Sequence, residues 1–143
     1  MNVTPDKITL PFDNEIVIVG TNLAGVPGAG FAYFVNRDIE FIKGLTYGWS
    51  RWKKAYGIPT RDIVGGKMVT LSLDVIRYYI DHFRTVVDDW YTQYPNDMFL
   101  VTKIGTGHAG YEISDIAPMF EWALDKPNVS LPIEFINYLK SDA

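Results

Sequence analysis

The feature that most constrains this fold is an alternation of short apolar runs with segments of helical periodicity. Four runs are typical of buried strands: Glu15–Gly20, Ala55–Pro59, Met98–Ile104 and Val129–Leu131. A segment of helical character is predicted after each of them. Such alternation favours an α/β fold with a mainly parallel or mixed sheet and helices on both faces. With 143 residues, the chain fits a single domain spanning residues 1–143.

The clearest predicted helix begins near Ser72 and ends before Pro95. Ser72 is a good N-cap, and Asp74 lies in the first turn, where a carboxylate complements the helix dipole. Apolar side chains recur along this segment with the spacing of one helix face. They are Val75, Ile76, Tyr79, Ile80, Phe83, Val86, Val87 and Trp90. This face is expected to pack on the sheet.

The remaining segments are less regular. Further helices are predicted at Phe31–Val35, at Ser114–Leu124, whose proline requires a late start or a kink, and at Pro132–Leu139. Thr60–Gly66 is predicted to be polar and rich in turns. Ile39–Trp52 combines glycines with aromatic residues, which indicates an irregular surface segment and a candidate flap over a pocket.

Charge and composition exclude several classes of protein. The net charge of −4 argues against a general affinity for nucleic-acid backbones. The absence of cysteine excludes disulfides and thiolate chemistry. No apolar run approaches the ~20 residues that a membrane span requires, and the first residues lack the apolar core of a secretory signal. We therefore expect a cytoplasmic protein with no nucleic-acid or membrane partner and no cofactor, its oligomeric state being left open.

Two glycine-rich loops follow predicted strands. The first loop is Thr21–Phe31 and the second loop is Ile104–Tyr111. Ligands of open α/β sheets bind beyond the carboxyl ends of the strands, and backbone amides in glycine-rich turns bind anions. Neither loop has the spacing of a dinucleotide fingerprint or a P-loop. The pair therefore predicts one anionic ligand held between the two loops.

Other polar and aromatic residues carry weaker signals. His108 is interpreted as a solvent-facing or ligand-contacting loop residue, and His82 as a structural one. Two distant histidines without cysteine make a poor zinc site, and the adjacent Asp88 and Asp89 are typical of a solvated helix face, so no metal is predicted. One aromatic group could form core or interface contacts or stack on an adenine. It consists of Tyr47, Trp49, Trp52 and Tyr56.

Taken together, the two loops resemble those of the macrodomain family. Macrodomains carry an early asparagine and a glycine-rich stretch at the first strand–helix junction, matched here by Asn22 and by residues 28–30. Their later phosphate loop is matched by Ile104–Tyr111. The similarity is greatest to the branch of the terminal ADP-ribose protein glycohydrolase and its phage-encoded relatives, through Ile58–Asp62 and Lys103–Gly107. The resemblance implies a three-layer α/β/α fold with a cleft for ADP-ribose or a derivative.

The resemblance also implies which residues contact this ligand. Asn22 would face the distal ribose, and the two loops would hold the diphosphate and the distal ribose. The expected ligand-binding set is Asn22, Leu23, Ala24, Gly28, Ala29, Gly30, Phe31, Thr60, Arg61, Asp62, Gly105, Thr106, Gly107, His108, Ala109, Gly110 and Tyr111.

The sequence departs from the hydrolase pattern at two positions. The glycohydrolase uses a lysine after the second strand and an aspartate in the second loop, where this chain has Arg61 and Ala109. Arginine stays protonated and cannot form the covalent adduct that a lysine can, and alanine removes the acid/base group. Only Asp62 and His108 are then weak catalytic candidates.

The sequence therefore favours binding over cleavage. The leading hypothesis is a module that holds ADP-ribose or a nucleotide derived from it, including cyclic ADP-ribose signals. For a phage-type relative, the resemblance implies counter-defence, in which the protein sequesters such an immune signal in the host cytoplasm. The alternatives are an enzyme that cleaves ADP-ribosyl bonds or degrades the signal, and a non-catalytic interaction protein.

Overall fold

A computed structural model describes residues 2–8, 13–26 and 42–141. The strands in these ranges are β1 (Asn2–Thr4), β2 (Glu15–Asn22), β3 (Gly48–Trp49), β4 (Ala55–Val64), β5 (Lys67–Thr70), β6 (Met98–Val101) and β7 (Val129–Pro132). The helices are α1 (Leu73–Gln93), α2 (Ile113–Ile116) and α3 (Ile133–Lys140), with 3₁₀ segments at Arg51–Lys53 and Ala117–Asp125.

All seven described strands form one sheet, in the order β1-β7-β6-β2-β4-β3, with β5 paired to β4. The pairs β1–β7, β7–β6, β6–β2 and β2–β4 are parallel, whereas β3 and β5 run antiparallel to β4. The predicted α/β class with a mixed, mainly parallel sheet is confirmed, and the arrangement is consistent with three α/β/α layers. The helix predicted at Phe31–Val35 lies outside the described residues.

Helix α1 forms as its sequence predicts. The Ser72 hydroxyl accepts a hydrogen bond from the amide of Val75, and the amphipathic segment that follows runs to Gln93. Its buried residues are Ile76, Ile80, Phe83 and Val87. In the part of the chain that is described, no helix is long and apolar enough to cross a membrane.

Alternate residues of each central strand pack on opposite faces of the sheet. On β2, Ile16 and Ile18 belong to the larger core, together with residues of α1, α3 and the 3₁₀ segment 117–125. Val17 and Val19 belong to a smaller cluster on the other face, which also contains Ile8. Because both faces of β2 are buried, its sequence contains a continuous apolar run without polar residues at alternate positions.

The structure corrects the prediction of a polar turn at Thr60–Gly66. Strand β4 continues to Val64, and only Gly65 and Gly66 form the turn into β5. Both glycines have positive φ, 58° and 77°, as two-residue hairpin turns require. Residues 63–70 are exposed on both faces of this hairpin, so its strands lack the alternation of buried and exposed residues that sequence reading relies on.

Two further predictions need correction. The helix predicted at Ser114–Leu124 is a short α2, beginning at Ile113, followed by a 3₁₀ segment that has Pro118 in its first turn. In the described part of Ile39–Trp52, Ile42 is buried, and Gly48–Trp49 forms the edge strand β3. This part of the predicted flap is therefore integrated into the sheet.

Candidate functional site

The candidate site lies where the parallel strands β2 and β6 end. The first loop leaves β2 and is described only as far as Val26. The expected ligand residues Gly28, Ala29, Gly30 and Phe31 lie outside the described residues. The site is therefore built from the start of the first loop, the second loop and the hairpin formed by β4 and β5.

The described part of the first loop is closed by its own hydrogen bonds. The buried Asn22 side chain donates through Nδ2 to the carbonyl of Val26 at 2.7 Å and accepts the Val26 amide at 3.1 Å. The amide of Leu23 donates to the Arg61 carbonyl at 2.9 Å, and that of Gly25 to the Asn22 carbonyl at 3.2 Å. Ala24 is exposed at the tip. In this arrangement both polar atoms of the Asn22 side chain are used to shape the loop.

The base of the second loop is packed into the core. Ile104 and Gly105 are buried, and Gly105 has a φ of 77°. A Cβ atom on Gly105 would lie 3.0 Å from Cδ1 of Ile116. Thr60 is also buried and lies close to this base. Its Cγ2 is 3.9 Å from the position that a Cβ on Gly105 would occupy. Gly105 is therefore required by backbone conformation and packing, whether or not a ligand binds.

The tip of the second loop is open. In the described ranges, the amides of Gly105, Gly107, His108 and Ala109 donate no hydrogen bond to the protein. Nothing lies within 4 Å of a Cβ placed on Gly107, and His108 is exposed. Consecutive amides without acceptors are the chemical requirement for an anion-binding nest. The Thr106 hydroxyl, at a position expected to contact the ligand, donates to the Lys103 carbonyl at 2.9 Å.

Two side-chain hydrogen bonds tether this tip to the hairpin. The Thr70 hydroxyl donates to the carbonyl of Ala109 at 3.0 Å, and the Tyr111 hydroxyl donates to the carbonyl of Leu71 at 2.6 Å. The amide of Gly110 donates to the Gly107 carbonyl at 3.0 Å. These bonds fix the loop carbonyls and leave the tip amides unused.

Arg61 is the hairpin residue best placed to face the second loop. It pairs directly with Thr70 across β4 and β5, and directly paired residues of antiparallel strands lie on the same face. Because Thr70 contacts Ala109, the Arg61 side chain projects from the face next to the second loop. Its Nε is buried without a hydrogen-bond partner.

Asp62 lies on the opposite face of the hairpin. It pairs with Val69, so its side chain alternates with that of Arg61. Its carboxylate accepts the amide of Ile63 at 2.7 Å. The structure therefore separates the two neighbours that sequence reasoning had placed together in the site.

An open cleft of about 710 Å³ extends from the second loop toward β1 and β7. It is lined by Asp6, Lys7, Lys103, Thr106, Gly107, His108, Tyr111, Glu112, Ile113 and Glu134. The predicted ligand-binding set did not include Asp6, Lys7, Lys103, Glu112, Ile113 and Glu134. Asp6 and Lys7 were missed because β1 is only three residues long and gave no signal that the chain's first residues belong to this sheet.

One ion pair fixes the wall of this cleft. Nζ of Lys103 lies 2.9 Å from Oε2 of Glu134, and the hydrogen bond to Lys103 lowers the pKa of Glu134 from its ordinary value. Both side chains are about one-third exposed. The carboxylate therefore stays ionised at neutral pH.

Two of the aromatic residues considered for stacking on an adenine, Tyr56 and Trp49, do not contact the cleft. Tyr56 is buried in the core, with its ring 5.5 Å from that of Trp49. Trp49 in turn packs on Trp90 of α1 at 4.7 Å. Neither ring is among the residues that line the cleft. Across the described ranges, no three His, Asp or Glu side chains are grouped so as to hold a metal ion.

Comparison with protein-family models, with curated proteins and with solved structures found no match. Function must therefore be inferred from the chemistry of the site itself.

Proposed function

We propose that this chain binds an ADP-ribose-like nucleotide, with the diphosphate on the tip of the second loop. The observation that carries the proposal is the set of free amides at the tip residues Gly107, His108 and Ala109. Amides held in place by the surrounding fold bind phosphate oxygens without the entropy loss of ordering long side chains.

Arg61 adds positive charge on the hairpin side of the second loop, whereas the cations that line the cleft itself are Lys7 and Lys103. A guanidinium with a buried, unpartnered Nε lacks the compensation that buried polar groups normally have. A phosphate accepts guanidinium hydrogen bonds in a planar, bidentate geometry. A ligand that bridges Arg61 and the loop amides would satisfy both groups.

The cleft next to the loop favours a ligand larger than a phosphate ion. Its volume of about 710 Å³ lies within the range of small-molecule sites, roughly 300–1,000 Å³. Its lining combines carboxylates at Asp6 and Glu112 with the ring of Tyr111. Carboxylates accept hydrogen bonds from ribose hydroxyls or base amino groups. The resemblance of both loops to macrodomains supports ADP-ribose as the common part of the ligand.

The geometry favours holding this ligand over cleaving it. The second loop has Ala109 at the position of the hydrolase aspartate, and Asp62 faces away from the loop. His108 is exposed and makes no hydrogen bond to the described residues that could orient it. General acid–base catalysis needs a group positioned at the reacting bond, and of the cleft carboxylates Glu134 is paired with Lys103 and Glu112 caps α2. The resemblance to phage-encoded relatives extends the proposal to sequestration of an NAD-derived signal in the cytoplasm.

Calorimetric titration with ADP-ribose and with cyclic ADP-ribose isomers tests this function. The ligand is then released by heat and identified by chromatography. Intact ligand supports a binding protein, whereas recovered product would establish an enzyme. Absence of binding to any adenine nucleotide would refute both and favour an interaction protein.

The variant Gly107→Glu tests the placement of the diphosphate. A Cβ at this position meets no protein atom within 4 Å, so the fold is expected to persist while the added charge repels phosphate. We expect affinity to fall about 100-fold, since a like charge in an interface costs several kcal/mol. Gly107→Ala is the matched control and should bind within about threefold of wild type. Unchanged affinity in Gly107→Glu would refute this placement.

A further inference from the structure

The end of the sheet opposite the candidate site carries a second distinctive surface. It is formed by the segments that precede β2, β4 and β6, namely Asp13–Asn14, Arg51–Lys54 and Tyr94–Asp97, and is termed here the amino-terminal face. Backbone bonds join these segments: Met98 donates to the Asn14 carbonyl at 2.7 Å, and Val17 to the Lys54 carbonyl at 3.0 Å.

Trp52 is the most exposed tryptophan of the described residues and lies on this face. Its side chain is 65% exposed, and its backbone has a φ of 59°. Lys53 also has a positive φ, 53°. Such conformations are uncommon for residues with a Cβ and cost about 1 kcal/mol or more each. The turn therefore presents a large apolar ring to solvent in a backbone conformation that its sequence does not favour.

Aromatic rings and cations lie against one another across the rest of the face. The Arg51 guanidinium lies 4.7 Å from the centre of the Trp52 ring. Lys53 Nζ lies 5.2 Å from the Trp90 ring, which is 4.5 Å from that of Tyr94. Trp90 Nε1 donates to Asp97 at 2.8 Å. Tryptophan, tyrosine and arginine in a preformed arrangement are the residues that dominate binding energy in protein interfaces.

Charges of both signs lie side by side on this face. Three cations occur at Arg51, Lys53 and Lys54, and the fully exposed Asp13 carboxylate lies 3.4 Å from Lys54. A two-fold contact brings one patch against an identical patch, so a patch that carries both signs of charge can place opposite charges against each other.

We propose that the amino-terminal face is the contact surface between two copies of this chain. Trp52 of each copy packs on the aromatic rings of the other, and Asp13 of each faces the cations of the other. Because the face lies at the amino-terminal ends of the strands, the dimer leaves both second loops accessible.

Sedimentation velocity of the full chain across a wide concentration range tests this proposal. We expect a reversible dimer that weakens with added salt, because the exposed charges are screened. Trp52→Ala should weaken dimerisation about 30-fold, as expected of a central interface residue. Tyr78→Ala, which removes a 57% exposed ring on α1, is the matched control and should leave the dimer unchanged.

A charge exchange distinguishes a two-fold contact from other arrangements. Arg51→Glu should weaken the dimer about tenfold, whereas Arg77→Glu, an exposed control on α1, should not. Adding Asp13→Lys to Arg51→Glu re-creates opposite charges across the two-fold axis and should recover most of the loss. A monomer at all concentrations would overturn the proposal, as would a dimer unaffected by both Trp52→Ala and Arg51→Glu. A monomer whose tryptophan fluorescence shifts with anionic vesicles or oligothymidylate would also overturn it and assign the face to that partner.

Discussion

The described start of the loop after β2 and the loop after β6 use their backbone amides differently. At the start of the first loop, the amides of Leu23, Gly25 and Val26 donate within the protein, and of residues 23–26 only Ala24 donates to no described residue. In the second loop, Gly107 and its two successors donate to no described residue. Glycine content alone therefore does not identify an anion site. The decisive property is whether the backbone amides already donate hydrogen bonds to side chains or carbonyls of the protein.

The largest expected effect comes from breaking the base of the second loop. Gly105→Ala places a Cβ 3.0 Å from the Ile116 side chain at a positive φ, and should destabilise the fold by about 3 kcal/mol through overpacking and strain. Gly107→Ala, in open space, should change stability by less than about 0.5 kcal/mol. Urea unfolding of both variants measures the difference. Equal losses of stability in the two variants would show that the base of this loop is not packed more tightly than its tip.

Removing Arg61 should separate binding from stability. Arg61→Met eliminates the guanidinium, and we expect ligand affinity to fall about 30-fold because the charge proposed to contact the phosphate is lost. Without ligand, stability should be unchanged or raised by up to about 1 kcal/mol, since an unpartnered buried donor is removed. Calorimetry and urea unfolding provide the two readouts. A stability loss with unaltered affinity would make Arg61 a structural residue.

A substitution of Asn22 tests whether its side-chain hydrogen bonds to Val26 hold the start of the first loop in place. Asn22→Ala removes both bonds to Val26 and should destabilise the protein by about 1–2 kcal/mol. Leu23→Ala, at an exposed neighbouring position, serves as the control and should have little effect. Thermal unfolding measures both variants. A large affinity loss in Asn22→Ala at unchanged stability would instead favour direct contact with the ribose, as the macrodomain resemblance implies.

The smallest effect is expected from the Lys103–Glu134 pair beside the second loop. Because Lys103 lowers the pKa of Glu134, the carboxylate stabilises the folded state above the ordinary glutamate pKa. This contribution is lost as pH falls through the lowered pKa. Since both side chains are partly exposed, it should amount to about 0.5 kcal/mol or less. Urea unfolding of wild type and Glu134→Gln at neutral and acidic pH should show the two converging in acid.

Sequence reasoning recovered the elements whose residues are buried in a regular pattern. Strand β2 and helix α1 were predicted because their apolar side chains follow the periodicity of the faces they bury. The end of β4 and all of β5 were missed because an exposed hairpin has no such pattern. Strand β1 was missed because three residues carry too little signal and its partner β7 is distant in sequence.

For the candidate site, the sequence predicted which residues form the two loops but not which contacts these residues make. The two loops were placed at strand ends, as the sheet topology confirms. The distinction between the packed Gly105 and the open Gly107 depends on Ile116, a contact that spacing cannot reveal. Likewise, the separation of Arg61 from Asp62 follows from a hairpin register that was not predicted.

The pairing of β1 with β7 also has a consequence for how the chain assembles. Asn2 is aligned with Ser130, so this strand pair joins two segments that are far apart in the sequence. Closing so long a loop is slow, and contacts of this kind form late in folding. Until β1 docks, the outer edge of β7 has unpaired backbone groups that another chain could pair with.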